Sequence, residues 1–202
     1  MSHILVAYTT NSGTTVEVAN VIAEELGKDG TLVDIRRLEE VSDLAPYTAA
    51  VIGAPMILGW HRGAVAFVKK HQAALSRIPV AYFIMAMSLT ESKQASSGTT
   101  PIYCDPGLVK PPKNANSLTL KERYSSVSNY ASQPLKAAPL VKPVSIGIFG
   151  GKLEMYRLKF LQAMFVLLIL RIQMGSLQNW PAIRQWAAQV SALLAVGQPQ
   201  TH

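Results

Sequence analysis

Four short runs of this chain, at residues 3–9, 49–53, 80–87 and 144–149, are apolar at nearly every position, and none is long enough for an ordinary helix. A strand with apolar side chains on both sides must be covered on both sides, which places these runs inside a parallel sheet. The segments between them switch to helical spacing. Val18, Ile22 and Leu26 share one helical face, as do Ala64, Phe67, Val68, His71 and Leu75, and then Ile183, Trp186, Ala187, Val190 and Leu194. Leu32 to Ile35 alternates as a further strand. Strand and helix in this succession predict an α/β fold, a doubly wound five-stranded parallel sheet with helices on both faces.

A chain of 202 residues suits one domain, and 49% hydrophobic with 15% charged residues suits a buried central sheet. Two segments exceed the minimal pattern. Residues 91–117 contain Ser-Ser-Gly-Thr-Thr-Pro and Lys-Pro-Pro-Lys-Asn-Ala-Asn and read as a long loop insertion, followed by a fourth helix at 118–135. Residues 154–174 read as a helical insertion whose stretch Ala163 to Leu170 is wholly apolar between Lys159 and Arg171. It is too short to span a bilayer. It is either a buried core helix or a greasy surface, edged by Arg157, Lys159 and Arg171, that meets a membrane or a lipid-soluble quinone.

Cys104 is the single cysteine, which excludes an internal disulfide framework and a Cys-rich metal site and fits a reducing compartment. The opening Met-Ser-His-Ile-Leu-Val lacks a basic leader region and reads as the first strand. The expected location is cytoplasmic, with membrane association if the apolar insertion is a surface. Charge is uneven: residues 1–86 carry 7 Lys/Arg against 8 Asp/Glu, and residues 87–202 carry 12 against 4. A basic second half suits an acidic substrate or partner, or peripheral contact with an anionic membrane. No recognition motif supports nucleic acid as a partner.

The first strand ends in Thr10-Asn11-Ser12-Gly13-Thr14-Thr15 and opens a helix. Backbone N–H groups, hydroxyls and the positive end of a helix dipole at such a junction bind a phosphate without a lysine. Gly13 permits a positive φ or close approach, and Thr10, Ser12 and Thr15 can each donate from a hydroxyl. The bland alternative is an ordinary helix cap after a turn. Neither a nucleoside triphosphate loop nor a dinucleotide Gly-x-Gly-x-x-Gly is present, so a single phosphate is the expected ligand group.

With Ser12-Gly13-Thr14-Thr15 placed after the first strand, the chain resembles the flavodoxin-like superfamily. In that fold the flavin lies at the carboxyl ends of the strands, at the topological switch point. The resemblance narrows at Val51-Ile-Gly-Ala-Pro-Met-Ile-Leu-Gly-Trp-His-Arg, Val80-Ala-Tyr-Phe-Ile-Met-Ala-Met-Ser-Leu-Thr and Ser145-Ile-Gly-Ile-Phe-Gly-Gly-Lys-Leu. These look like the flavodoxin-type, menaquinone-dependent protoporphyrinogen oxidase family.

The resemblance implies FMN as cofactor and oxidation of protoporphyrinogen or a related reduced substrate, with a quinone as acceptor. The alternative is an electron carrier that meets a redox partner protein and has no small substrate. By the same resemblance Pro55, Met56, Ile57, Leu58, Gly59 and Trp60 lie against the flavin ring, with Trp60 either stacking on it or plugging the space beneath the loop. Met87, Ser88 and Leu89 supply the other side, and Gly150 and Gly151 the edge after the last strand, unless these glycines merely end it. No metal is required. No carboxylate pair or nucleophilic triad falls at suitable positions, and His61 is the candidate for moving a proton, or else a surface or hydrogen-bonding histidine. His71 reads as a satisfied core histidine and Cys104 as a residue of a polar loop.

Overall fold

The computed structural model describes residues 2–11, 13–91, 100–114, 117–151 and 177–196. In chain order the elements are β1 (His3–Tyr8), α1 (Thr14–Leu26), β2 (Leu32–Arg37), β3 (Ala49–Pro55), α2 (Arg62–Leu75), β4 (Val80–Ala86) and β5 (Leu89–Thr90). They continue with β6 (Ile102–Cys104), β7 (Val109–Lys110), α3 (Leu120–Tyr124), α4 (Val127–Ala137), β8 (Ser145–Gly150) and α5 (Trp180–Val196).

The main sheet is parallel, in the order β2-β1-β3-β4-β8-β6. It has six strands where the sequence predicts five. The extra strand is β6, three residues of the 91–117 segment, which pairs with β8 through Ile102↔Ile146 to Cys104↔Ile148. The same segment supplies β7, which pairs with β5 in a separate two-stranded sheet. The expected helix at 118–135 is two helices, because Ser126 caps α4 by accepting from the Asn129 N–H at 3.2 Å.

Alternation along the strands sorts the core into two layers. Leu5, Ile52, Tyr82, Ile84, Ile146 and Ile148 pack with Phe67 and Val68 of α2 and Tyr130 of α4. Ile4, Val6, Val51, Phe83, Met85 and Phe149 pack with Ile22 of α1 and Trp186 of α5. The second layer holds large rings because the sheet is hollowed beneath them. A Cβ on Gly53 would lie 1.9 Å from the Phe83 ring, and one on Gly147 would lie 2.6 Å from Phe149. The helical faces read from the sequence are the buried ones, including Val18, Ile22 and Leu26 on α1 and Ile183, Trp186 and Leu194 on α5.

β1 leads through α1 to β2 on one side, and β3 leads through α2 to β4 on the other. The chain reverses direction between β1 and β3, the switch point at which doubly wound sheets open a crevice at the carboxyl ends of their strands. Among the described residues no helix is long and apolar enough to cross a membrane. The 154–174 helical insertion lies outside the described residues.

Candidate functional site

The loop after β1 is tied to the loop after β3 from its first residue: the Thr9 N–H donates to the Gly53 carbonyl at 3.1 Å. Thr10 Oγ1 accepts from the Gly13 N–H at 2.8 Å, closing a turn. Gly13 then stands at the N-cap of α1 with φ 89°, a left-handed conformation that glycine adopts at little cost. As a glycine, the cap residue has no side chain with which to bond the first turn, and its position fits both a phosphate site and an ordinary glycine cap after a turn. Thr14 and Thr15 are buried in the first turn. Ser12 lies outside the described residues.

The loop after β3 is a tight hairpin. Met56 and Trp60 form an antiparallel bridge, and the His61 N–H closes on the Pro55 carbonyl at 3.1 Å. At the tip Leu58 has φ 56° and Gly59 φ 109°, and Leu58 is 54% exposed. Ile57 beside it is half-buried. Trp60 points the other way. It is 3% exposed and meets Tyr82 edge to face with ring centroids 5.6 Å apart. This is the packing position, the plug beneath the loop, and the apolar group presented outward by the loop is Leu58.

His61 is the N-cap of α2, its Nδ1 accepting from the Gly63 N–H at 3.1 Å. That bond leaves the neutral ring's proton on Nε2. A Cβ on Gly63 would lie 3.2 Å from His61 Nδ1 and 3.8 Å from Thr9 Oγ1, so the starts of the first two loops meet here.

The strand ends beyond are linked in the same way. The Met56 N–H donates to the Met85 carbonyl at 2.9 Å, and the Gly151 N–H to the Ala86 carbonyl at 2.9 Å. Met87 is buried, and Ser88 Oγ is buried with no hydrogen-bond partner. Leu89 is directed into the core and its backbone belongs to β5. At β8 a Cβ on Gly150 would lie 2.1 Å from the Leu177 carbonyl oxygen, and the Leu177 N–H donates to the Gly151 carbonyl at 3.3 Å. Gly150 and Gly151 therefore meet Leu177 on this edge. The structure brings the segments at Thr10–Gly13, Pro55–His61, Met87–Ser88 and Gly150–Gly151 to the same end of the sheet.

Three groups near this edge were not legible as site residues. Tyr124 and Gln133 bond the hairpin from 65 and 73 residues away, and no local pattern marks such pairs. Asp105 follows β6 fully buried, its Oδ1 accepting from the Gly107 N–H at 2.9 Å and Asn179 Nδ2 at 2.8 Å while its Oδ2 has no partner. Cys104 lies in a strand rather than a polar loop, and burial pushes its thiol up to about 11, so it is a poor nucleophile. His71 is half-buried against Phe67, and its Nε2 has no partner among the described residues, so it differs from the satisfied core histidine expected. Among the described residues no cluster of three or more His, Cys, Asp or Glu could hold a metal.

The residues fit a flavin phosphate and ring. A helix start on a left-handed glycine suits the phosphate, and the Ser88 hydroxyl, without a partner among the described residues, suits a polar ring edge.

A protein named protoporphyrinogen IX dehydrogenase [quinone], from Escherichia coli strain K12, is 32% identical over 82 residues, covering 39% of this chain and 45% of that protein. The matched part is thus less than half the length of that relative. Among solved structures, flavodoxin 2 from Bacillus cereus superposes with a TM-score of 0.48 at 13% identity, covering 96% of this chain and 99% of the other. A flavodoxin from the domain Archaea gives 0.48 at 8% identity, covering 96% and 99%. The flavodoxin domain model matches residues 5–178, the greater part of the sequence, and the chain belongs to the flavodoxin-domain family.

Proposed function

We propose that this protein binds one FMN and works as an oxidoreductase, taking electrons from a reduced organic substrate and passing them to a quinone. The observation that carries the reading is the start of α1: a turn closed by the Gly13 N–H on Thr10 Oγ1 and a left-handed Gly13, set beside the loops after β3 and β4. Thr10, Asn11, Ser12, Gly13, Thr14 and Thr15 would hold the phosphate through backbone N–H groups and hydroxyls. Leu58 at the hairpin tip, with Pro55, Met56, Ile57 and Gly59, would cover one side of the ring. Met87, Ser88 and Leu89 would cover the other, with Ser88 Oγ the polar contact and Gly150–Gly151 the far edge. Trp60 would support the hairpin from below rather than stack.

When bound, FMN supplies hydride and single-electron chemistry. The protein's own part is to hold the ring, exclude water with Leu58 and Met87, and place His61 at the mouth of the crevice. With Nδ1 committed to α2, the His61 proton would move from Nε2.

Two observations support an enzyme with an anionic or lipid-soluble reactant over a carrier protein. One is the name of the Escherichia coli relative, which specifies protoporphyrinogen IX and a quinone. The other is charge: α2 and α4 carry Arg62, Lys69, Lys70 and Lys136 and no acidic residue, a layer suited to carboxylate-bearing substrates or anionic lipid. The test is an absorbance spectrum of the purified protein, then oxygen-free assays with protoporphyrinogen as donor and a quinone or a one-electron protein as acceptor. Flavin bands with faster quinone turnover are expected. Flavin bands with turnover only between proteins would make it a carrier.

A further inference from the structure

The hairpin after β3 does not hold its shape by itself. Leu58, a non-glycine residue, sits at φ 56°, and Gly59 follows at 109°. A left-handed leucine persists only where its surroundings impose it. The surroundings here are two side chains from the other end of the chain. The Gly59 N–H donates to Tyr124 Oη at 2.9 Å, and the Trp60 N–H donates to Gln133 Oε1 at 2.6 Å. The Leu58 backbone also contacts the Tyr124 hydroxyl.

Both side chains are themselves fixed. Tyr124 ends α3 and meets Tyr130 edge to face at 5.9 Å. Asn129 Nδ2 donates to the Tyr124 carbonyl at 2.7 Å, joining α3 to α4. The Thr90 N–H donates to the Ser125 carbonyl at 2.8 Å, so α3 is also fastened to the end of β4 through β5. Gln133 lies on α4, and its Oε1 would be 3.3 Å from a Cβ on Gly59, which glycine leaves vacant.

In a trans peptide the N–H and C=O groups point in opposite directions, and the described chain has no cis peptide. Drawing the Gly59 and Trp60 N–H groups toward α3 and α4 therefore turns the Leu58 and Gly59 carbonyls away from them.

We infer that Tyr124 and Gln133 are positioning residues for the hairpin: together they impose its left-handed tip and fix which backbone groups it presents to a bound ring. The part about the ring rests on the proposed flavin reading, whereas the clamp on the hairpin does not. The consequence is that the end of α3 is part of the site's framework, linking the hairpin through Tyr124 to β5 after β4.

The test uses the full-length protein with Y124F, Q133L and Q133E. Without flavin, amide hydrogen exchange is followed at Gly59 and Trp60 and, as an internal control, at Ile84 in β4. Y124F should speed Gly59 exchange about tenfold and Q133L should do the same for Trp60, with Ile84 unchanged, the scale of one lost hydrogen bond. Q133E keeps the acceptor oxygen and should restore Trp60 protection. With FMN added, Y124F and Q133L should shift the flavin midpoint potential, whereas Q133E should bind FMN with the hairpin intact.

Exchange that rises equally at Ile84 would make both residues merely structural and overturn the inference, as would unchanged exchange at Gly59 and Trp60. An unshifted potential in both variants would remove the role toward the ring. If the unmodified protein binds no FMN, the flavin reading fails by itself, and the exchange data still decide the clamp.

Discussion

Trp60 and Tyr82 share an unusual environment: both rings are buried in the same layer of the core, and neither Trp60 Nε1 nor the Tyr82 hydroxyl has a hydrogen-bond partner among the described residues. Burial pushes the Tyr82 phenol well above its ordinary range, so it stays protonated at any working pH. A buried hydroxyl without a partner costs free energy, and its removal should return some of it. Y82F is expected to leave stability unchanged or raise it by up to about 1 kcal/mol in urea denaturation. A loss of that size would mean the hydroxyl is bonded in solution. W60A should cost about 3–5 kcal/mol, the scale of removing a large buried aromatic, and any weakening of FMN should follow from the loosened hairpin. His71 adds a pH effect. Burial, with Lys70 as the lesser cause, lowers its pKa from 6.5 in the fold. The unfolded chain then takes up the proton first, so stability is full above pH 6.5 and falls as the pH drops from there toward the lowered value. H71Q should flatten that slope in a series of melts between pH 7 and 5.

At the scale of elements, what could be read locally was read well. The buried faces of α1 and α5 follow from side-chain spacing alone, and the strands β1, β3, β4 and β8 from their unbroken apolar runs. The sixth strand was hidden for a physical reason. Ile102–Cys104 is three residues among breakers, and only its pairing with β8 makes it a strand. Trp60 was ambiguous because stacking and plugging both bury an indole, and the direction of the ring depends on Tyr82 across the sheet. The Thr/Ser-rich loop before α1 was legible in composition, yet the bond from the Gly13 N–H to Thr10 Oγ1 that shapes it was visible only in the fold. Asp105 joins the 91–117 segment to the start of α5 by accepting from Asn179, a link no motif announces. N179A removes a donor from a fully buried carboxylate and should cost about 1–3 kcal/mol in chemical denaturation. A change within error would show that the link contributes nothing.

Over the whole molecule, the two helical layers differ in charge as well as in core. α1 carries Glu17, Glu24 and Glu25, two of them paired with Arg184 of α5, while the charged residues of α2 and α4 are all basic. The strand ends lie between these layers, at the switch point between β1 and β3 where sheets of this kind open a crevice. Everything proposed for function depends on that crevice holding a phosphate at the start of α1. A G13V variant places a branched side chain at φ 89° and should weaken phosphate binding far more than it weakens the fold. The most direct measurement is a titration of the flavin-free protein with FMN and with riboflavin, which differ only in the phosphate. FMN should bind about a hundredfold more tightly, the worth of two hydrogen bonds to a charged group, and G13V should erase most of that difference. Equal affinity for the two flavins would contradict the account and leave the start of α1 as an ordinary turn.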